Sequence, residues 1–327
     1  MMLLAQGGKN MSKRVVVTGT GSITPVGNNT KETWESIKNG KLGISKISSF
    51  STDNLPVGIA AEVKGFDPEA SLSKKESKRL DRFSQFAVVA AQEALDQAGI
   101  DIENEDTTRF SSIVGSGVGG IMTLSDQFNV LLKDGPDKIS PFLIPMMLPD
   151  MAAGNVSMKF GARGINFSPV SACATGTDAI GQAYDLIMKG DIDMAIAGGS
   201  EAAICPIALA GFASVRALSS ITDPEQACRP FDKNRDGFIL GEGSGVLFIE
   251  SLEHANARNA NILAEIIGYG ASSDAHHITQ PSPGGEGAAR AMKIALKNSS
   301  TNAGSIDYIN AHGTSTPLND KFETMSM

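Results

Sequence analysis

The chain has only three cysteines in 327 residues, Cys173, Cys205 and Cys228. Their number is odd and no C-x-x-C pair is present. That argues against a disulfide framework and a zinc site, and it points to a reducing, cytoplasmic setting. Histidine is scarce as well: His254, His276, His277 and His312. None stands at metal-ligand spacing from another His or a Cys, so no metal site is expected. No run of about 18 apolar residues exists, so no membrane span is expected. Positive charge is also short: 28 Lys and Arg against 36 Asp and Glu leave −8. A phosphate-backbone ligand needs a net positive face, which removes nucleic acid from consideration, while a local basic patch can still meet an acidic protein.

What is present reads as a globular α/β protein. The chain is too long for one small core, which implies one large domain or two halves. The opening "MMLLAQGGKN" is too short in apolar residues for a signal peptide. Residues 1–11 are expected to be a disordered extension, with Met11 as a second possible start. "RVVVTGTGSITPVG" predicts a buried strand ending in a glycine turn. "RFSQFAVVAAQEALDQAG" predicts a helix, with Phe83, Phe86, Val89 and Ala90 at helical spacing and Gly99 as its stop. "RFSSIVGSGVGG", "IDMAIAGGSEA" and "GFILGEGSGVLFIE" predict further strands. Strands alternating with helices point to an α/β layered domain. The order helix, polar loop, strand with a small-residue end occurs at Phe86–Gly120 and again in "GAARAMKIALKN" to "NAHGTST". That echo implies two related halves, the second unfinished.

Several motifs tempt and fail. Gly115, Gly117 and Gly120 in "GSGVGG" match a dinucleotide loop, but the region where the acidic partner should end a strand is the proline-rich "KDGPDKISPFLIPMMLPD". "DKNRDG" resembles a calcium loop, yet its twelfth position is Gly243 rather than a bidentate Glu. A turn capped by Asp and Asn side chains is the better reading. His254 reads as a solvated helix residue, and His276 and His277 are equally well explained as loop polar groups. His312 differs: it follows the apolar run "IDYIN", read as a strand, and strand ends are where α/β sites collect.

Cys173 follows "INFSPVSA", read as a buried strand, and precedes a helix with Gly176, Ala179, Ile180, Ala183 and Ile187 on one stripe. Free N–H groups and the helix dipole at such a turn favour a thiolate. The dipole supplies roughly 1 kcal/mol, against about 1.4 kcal/mol per pKa unit. The small neighbours Ala172, Ala174 and Gly176 leave room for a substrate, as at a hydrolase nucleophile elbow. The residues alone leave two readings open, a nucleophile or a space-filling core cysteine.

"SACATG" around Cys173, "RPFDKNRDGFILGEGSG" from Arg229 and "NAHGTSTPLND" from Asn310 together resemble the β-ketoacyl-acyl-carrier-protein synthases, in particular their type II elongating members. The resemblance runs from about Met11 to near the end. It implies the thiolase fold, a five-layer α-β-α-β-α sandwich of two similar halves, here residues 12–260 and an incomplete 261–327. It also implies a homodimer without cofactor, whose partners are acyl- and malonyl-loaded acyl carrier protein. By the same resemblance Cys173 accepts an acyl chain and His312 donates to the malonyl thioester oxygen. Thr314 and Thr316 match positions that bind the pantetheine arm, and Asp320 and Glu323 match supporting polar positions. Val118 and Phe212 match the acyl pocket, although both are equally consistent with plain core residues. Lys75, Lys78 and Arg79 match a basic docking helix, Arg216 another docking position; charge alone reads the run as a solvated face. Asp137 departs from a position often basic in the family, leaving Lys138. The family pattern continues with a second His and a G-F-G-G-T-N loop, neither found here. Two expectations compete: an elongating synthase in an incomplete reading frame, which is preferred, or a dead fragment that only binds acyl chains or carrier protein.

Overall fold

The computed structural model describes residues 12–327; the expected disordered extension at 1–11 lies outside the described residues. Among the described residues the main sheet has five strands: β1 (Val15–Ile23), β2 (Phe110–Gly115), β3 (Met194–Glu201), β4 (Gly243–Ser251) and β5 (Ala264–Ile266). Their order is β2-β3-β4-β1-β5. Only β2 and β3 run parallel; the other neighbours are antiparallel. β2 is buried on both faces, so its sequence carries no polar alternation.

Helix α1 (Arg82–Ala98) covers one face of the sheet, with Phe83, Phe86, Ala87, Ala90, Ala91 and Ala94 all fully buried. Gly99 ends it in the left-handed region at φ 62°, the conformation a glycine stop supplies. The helix lies unusually close to β1. A Cβ on Gly19 would stand 2.0 Å from the Ala94 carbonyl oxygen, and one on Gly21 would stand 1.8 Å from that of Ala90. The glycines of "TGTG" are therefore required by packing rather than by a turn. The opposite face is covered by α2 (Thr175–Lys189), which buries Ala179, Ala183, Tyr184 and Ile187 against β2 and β3. The expected stripe is thus real, with Gly181 and Tyr184 added to it.

Beyond β5 the chain forms α3 (Glu286–Ser299) and α4 (Pro317–Ser326). Among the described residues the α/β layering is built on this one central sheet, with α1 and α2 on its two faces, and two strand expectations fail locally. Residues 306–310 are unpaired and exposed, with Tyr308 78% accessible. Residues 165–170 make only an isolated bridge from Asn166 to Ser112, with Val170 59% accessible. Both runs have strand-like composition, but a strand also needs a partner backbone.

Candidate active site

Cys173 sits in a 3-10 turn, Ala172–Ala174, that runs directly into α2. No side chain caps this helix start; the N–H groups of Ala174 and Thr175 are taken by the carbonyls of Ser171 and Ala172. Ala172 holds a left-handed backbone at φ 52°. That conformation costs a non-glycine residue about 1–2 kcal/mol and marks a turn held by its surroundings.

The thiol is exposed and opens on a cavity of about 700 Å³. Val118 and Phe212 line the same cavity, together with Ile23, Phe238 and Leu240. The core-filling reading of Cys173 is therefore wrong, whereas Cys205 is buried among apolar residues. His312 reaches the same sulfur from the far end of the chain. Pairing with His312 pulls the Cys173 thiol below its ordinary value, outweighing the upward push of burial; the residue's own N–H adds to the fall. The imidazole moves up in turn, chiefly through the same pairing. Each group stabilises the other's charged form.

His312 is held by its backbone. Glu323 on α4 accepts from the N–H of His312 at 2.6 Å and of Gly313 at 2.8 Å. Asp320, 1% exposed, accepts from the N–H of Phe231 at 2.7 Å and of Ser315 at 3.2 Å. It also pairs with Arg235 at 3.3 Å. Thr316 caps α4 through Asn319 N–H, and its hydroxyl is 2.8 Å from that of Thr314. Thr314 and Thr316 thus flank the His312 turn and are not on the cavity wall.

The basic residues are elsewhere. Lys75 lies in a single helical turn, Lys74–Ser77, followed by Lys78 and Arg79; all three are exposed. Arg79 stacks over Phe142, 4.6 Å from its ring centre. Arg216 is exposed at φ 55°, just past the helix Pro206–Ser214. Asp137 and Lys138 are exposed in the turn Pro136–Lys138. His276 and His277 stay in the 271–282 loop, where His277 Nδ1 accepts from the N–H groups of Thr279 and Gln280.

Two features escape the sequence reading. Glu201, at the end of β3, lines the cavity and accepts from Ser116 Oγ and from the N–H groups of Gly117 and Val118. Burial pushes its carboxyl up, against those donors. A carboxylate at a strand end, in "GGSEA", was the available signal. His254 is the second, and it corrects the solvated reading: its ring lies between Glu250 and Glu105, 2.9 Å from the latter, away from Cys173.

Known proteins resemble this chain along nearly its whole length. The family model "Beta-ketoacyl synthase, N-terminal domain" matches residues 12–255, and "Beta-ketoacyl synthase, C-terminal domain" matches 263–327. The 3-oxoacyl-[acyl-carrier-protein] synthase 2 of Staphylococcus aureus is 48% identical over 318 residues, 97% of this chain and 77% of that protein. A β-ketoacyl synthase from Burkholderia phymatum superposes with a TM-score of 0.88 at 36% identity, over 96% of this chain and 77% of that one. The AntDE:AntF complex, a type II polyketide acyl-carrier protein with its ketosynthase bound to the hexaketide, gives a TM-score of 0.87 at 32% identity, with the same two coverages.

Proposed function

The chain belongs to the β-ketoacyl synthase family, and from that premise we propose that it is a 3-oxoacyl-acyl-carrier-protein synthase of fatty-acid elongation. The enzyme is an acyltransferase. The Cys173 thiolate attacks the carbonyl of an acyl-carrier thioester. The carrier's C–S bond breaks and its thiolate takes up a proton, leaving the acyl chain on Cys173. Malonyl-carrier protein then loses carbon dioxide, and the electron pair of the broken C–C bond becomes an enolate. Its carbon attacks the acyl-cysteine carbonyl, and the Cys173 thiolate leaves as the 3-oxoacyl product forms. Sulfur suits both steps because it is a strong nucleophile and a good leaving group. His312 donates to the enolate oxygen; losing one such donor costs about 2.7–4 kcal/mol in comparable sites.

The observation that carries this reading is one sulfur at an uncapped helix start, paired with His312 and open to a largely apolar cavity. Val118 and Phe212 line the acyl chain's path, and Thr314 and Thr316 take the pantetheine arm. Asp320 and Glu323 hold the His312 turn. Lys75, Lys78, Arg79 and Arg216 offer positive charge to an acidic carrier protein. The halves divide between residues 260 and 261, and the enzyme works in the cytoplasm as a homodimer. The helix Ile121–Asp134 supports the dimer: it buries none of its residues and exposes Leu124, Phe128, Leu131 and Leu132, an apolar stripe that a second copy would cover.

Incubation with acyl-carrier protein followed by intact mass tests the assignment. The wild type gains the acyl mass and Cys173→Ala does not; an equal gain in the variant removes the nucleophile.

A further inference from the structure

The left-handed turn that presents Cys173 is not held by Cys173 or His312. Ser171, the residue before the turn, is fixed at three atoms. Its N–H donates to Thr175 Oγ1 at 2.9 Å, its carbonyl accepts from Ala174 N–H at 3.1 Å, and its hydroxyl donates to Asp178 Oδ2. The other oxygen of Asp178 accepts from the Tyr269 hydroxyl at 2.6 Å. Tyr269 comes from the second half, just past β5, and is anchored twice. Its carbonyl accepts from Asn298 Nδ2 on α3 at 2.8 Å. Its ring lies flat enough on α2 that a Cβ at Gly181 would stand 2.2 Å from Cδ2.

We propose that Asp178 and Tyr269 are positioning residues: Tyr269 reaches across from the second half and, through Asp178 and Ser171, locks the turn at Ala172 that aims Cys173. The inference rests on reading Cys173 as the acyl acceptor only for its consequence in turnover. A carboxylate in the first turn of α2 is well placed against the helix dipole but would weaken a neighbouring thiolate if left bare. Two hydroxyl donors tie its oxygens to Ser171 and Tyr269, so its charge is spent on the scaffold. Burial, and then the bond to Asp178, raise the Tyr269 hydroxyl well above its ordinary value, which keeps it a neutral donor throughout the working range. The other ionisable groups facing this site are His312, which pairs with the sulfur, and Glu201 and Glu242 on the cavity wall. None of them hydrogen-bonds to Ser171, Asp178 or Tyr269.

The test is iodoacetamide alkylation of Cys173 in the full chain, followed peptide by peptide so that Cys205 and Cys228 are read separately, across pH. Tyr269→Phe keeps the ring on Gly181 and removes one hydrogen bond. It should slow Cys173 alkylation at pH 7 roughly three- to tenfold, the range one such bond spans, and move the midpoint upward, with melting lowered by a few degrees at most. Asp178→Ala should slow it at least as much, and adding Tyr269→Phe to Asp178→Ala should slow it no further. Alkylation of Tyr269→Phe at the wild-type rate and midpoint overturns the proposal, as do additive effects in the double variant. If Asp178→Ala does not fold, Tyr269→Phe decides alone. Normal alkylation without acyl loading would instead remove the acyl-acceptor reading and leave the positioning intact.

Discussion

Asp320→Asn is the sharpest perturbation of the site, because it changes no volume and strands specific donors. Asp320 accepts from Phe231 N–H and pairs with Arg235 through Oδ2, and accepts from Ser315 N–H and Asn319 Nδ2 through Oδ1. An amide has one oxygen for these four donors. If the oxygen stays with Phe231 and Arg235, the new NH2 faces Ser315 N–H, which is fully buried. Asn319 can turn its own amide to accept, so one backbone donor is left without a partner. Stranding it costs about 1–3 kcal/mol, and bonds to a charged acceptor are worth about 1.5–3 kcal/mol each. Arg235 keeps the carbonyls of Asp232, Thr316 and Pro317, so the larger penalty for an isolated buried charge does not apply in full. The expected loss is about 2–4 kcal/mol. Ser315 sits at φ 63° and its Oγ accepts from Arg229 N–H at 3.0 Å, so the His312 turn should loosen with it. Urea unfolding gives the stability and Cys173 alkylation gives the alignment of the pair. A loss under about 1 kcal/mol with unaltered alkylation would refute the accounting of donors.

Two further outcomes follow from the same geometry. The Thr18, Glu250, His254, Glu105 and Arg258 cluster makes stability depend on pH in two limbs. Burial pushes Glu250 up, but Arg258 and His254 outweigh it and hold its carboxyl at about 2, below 4.5; its contribution is present above 4.5 and lost as pH falls toward 2. Glu250 chiefly raises His254 above 6.5 against burial, so that contribution is complete below 6.5 and lost as pH climbs through the raised value. Urea midpoints should be highest between those limits, and His254→Gln should flatten the alkaline limb; an unchanged limb would show the imidazole to be uncoupled. Val118→Phe narrows the cavity at a wall residue that is 40% exposed. Loading of long acyl chains, read by intact mass, should fall at least tenfold while acetyl loading is retained; equal loss for both would place Val118 outside the chain's path.

Local features were legible from the residues because their causes are local. Helical spacing and a glycine stop located α1, a β-branched run located β1, and short apolar segments ending in glycines or a glutamate located β2 to β4. Cys173 stood out because a thiol at a helix start is a chemical statement by itself. The "TGTG" glycines were visible as a turn signal, but their use as clearance for α1 was not. Residues 165–170 and 306–310 have strand-like composition and remain unpaired, because the sequence of a strand says nothing about whether a partner backbone is beside it.

The amino-acid sequence alone determined the α/β alternation, the acidic charge, the absence of a long apolar run and the nucleophilic candidate. Each of these depends on neighbours in the chain. Tertiary structure decided that His312 meets Cys173, that Glu201 closes on the loop at Gly117, and that His254 is clamped between carboxylates. These depend on side chains brought together from distant segments, and their electrostatics exist only once burial has removed the water between them.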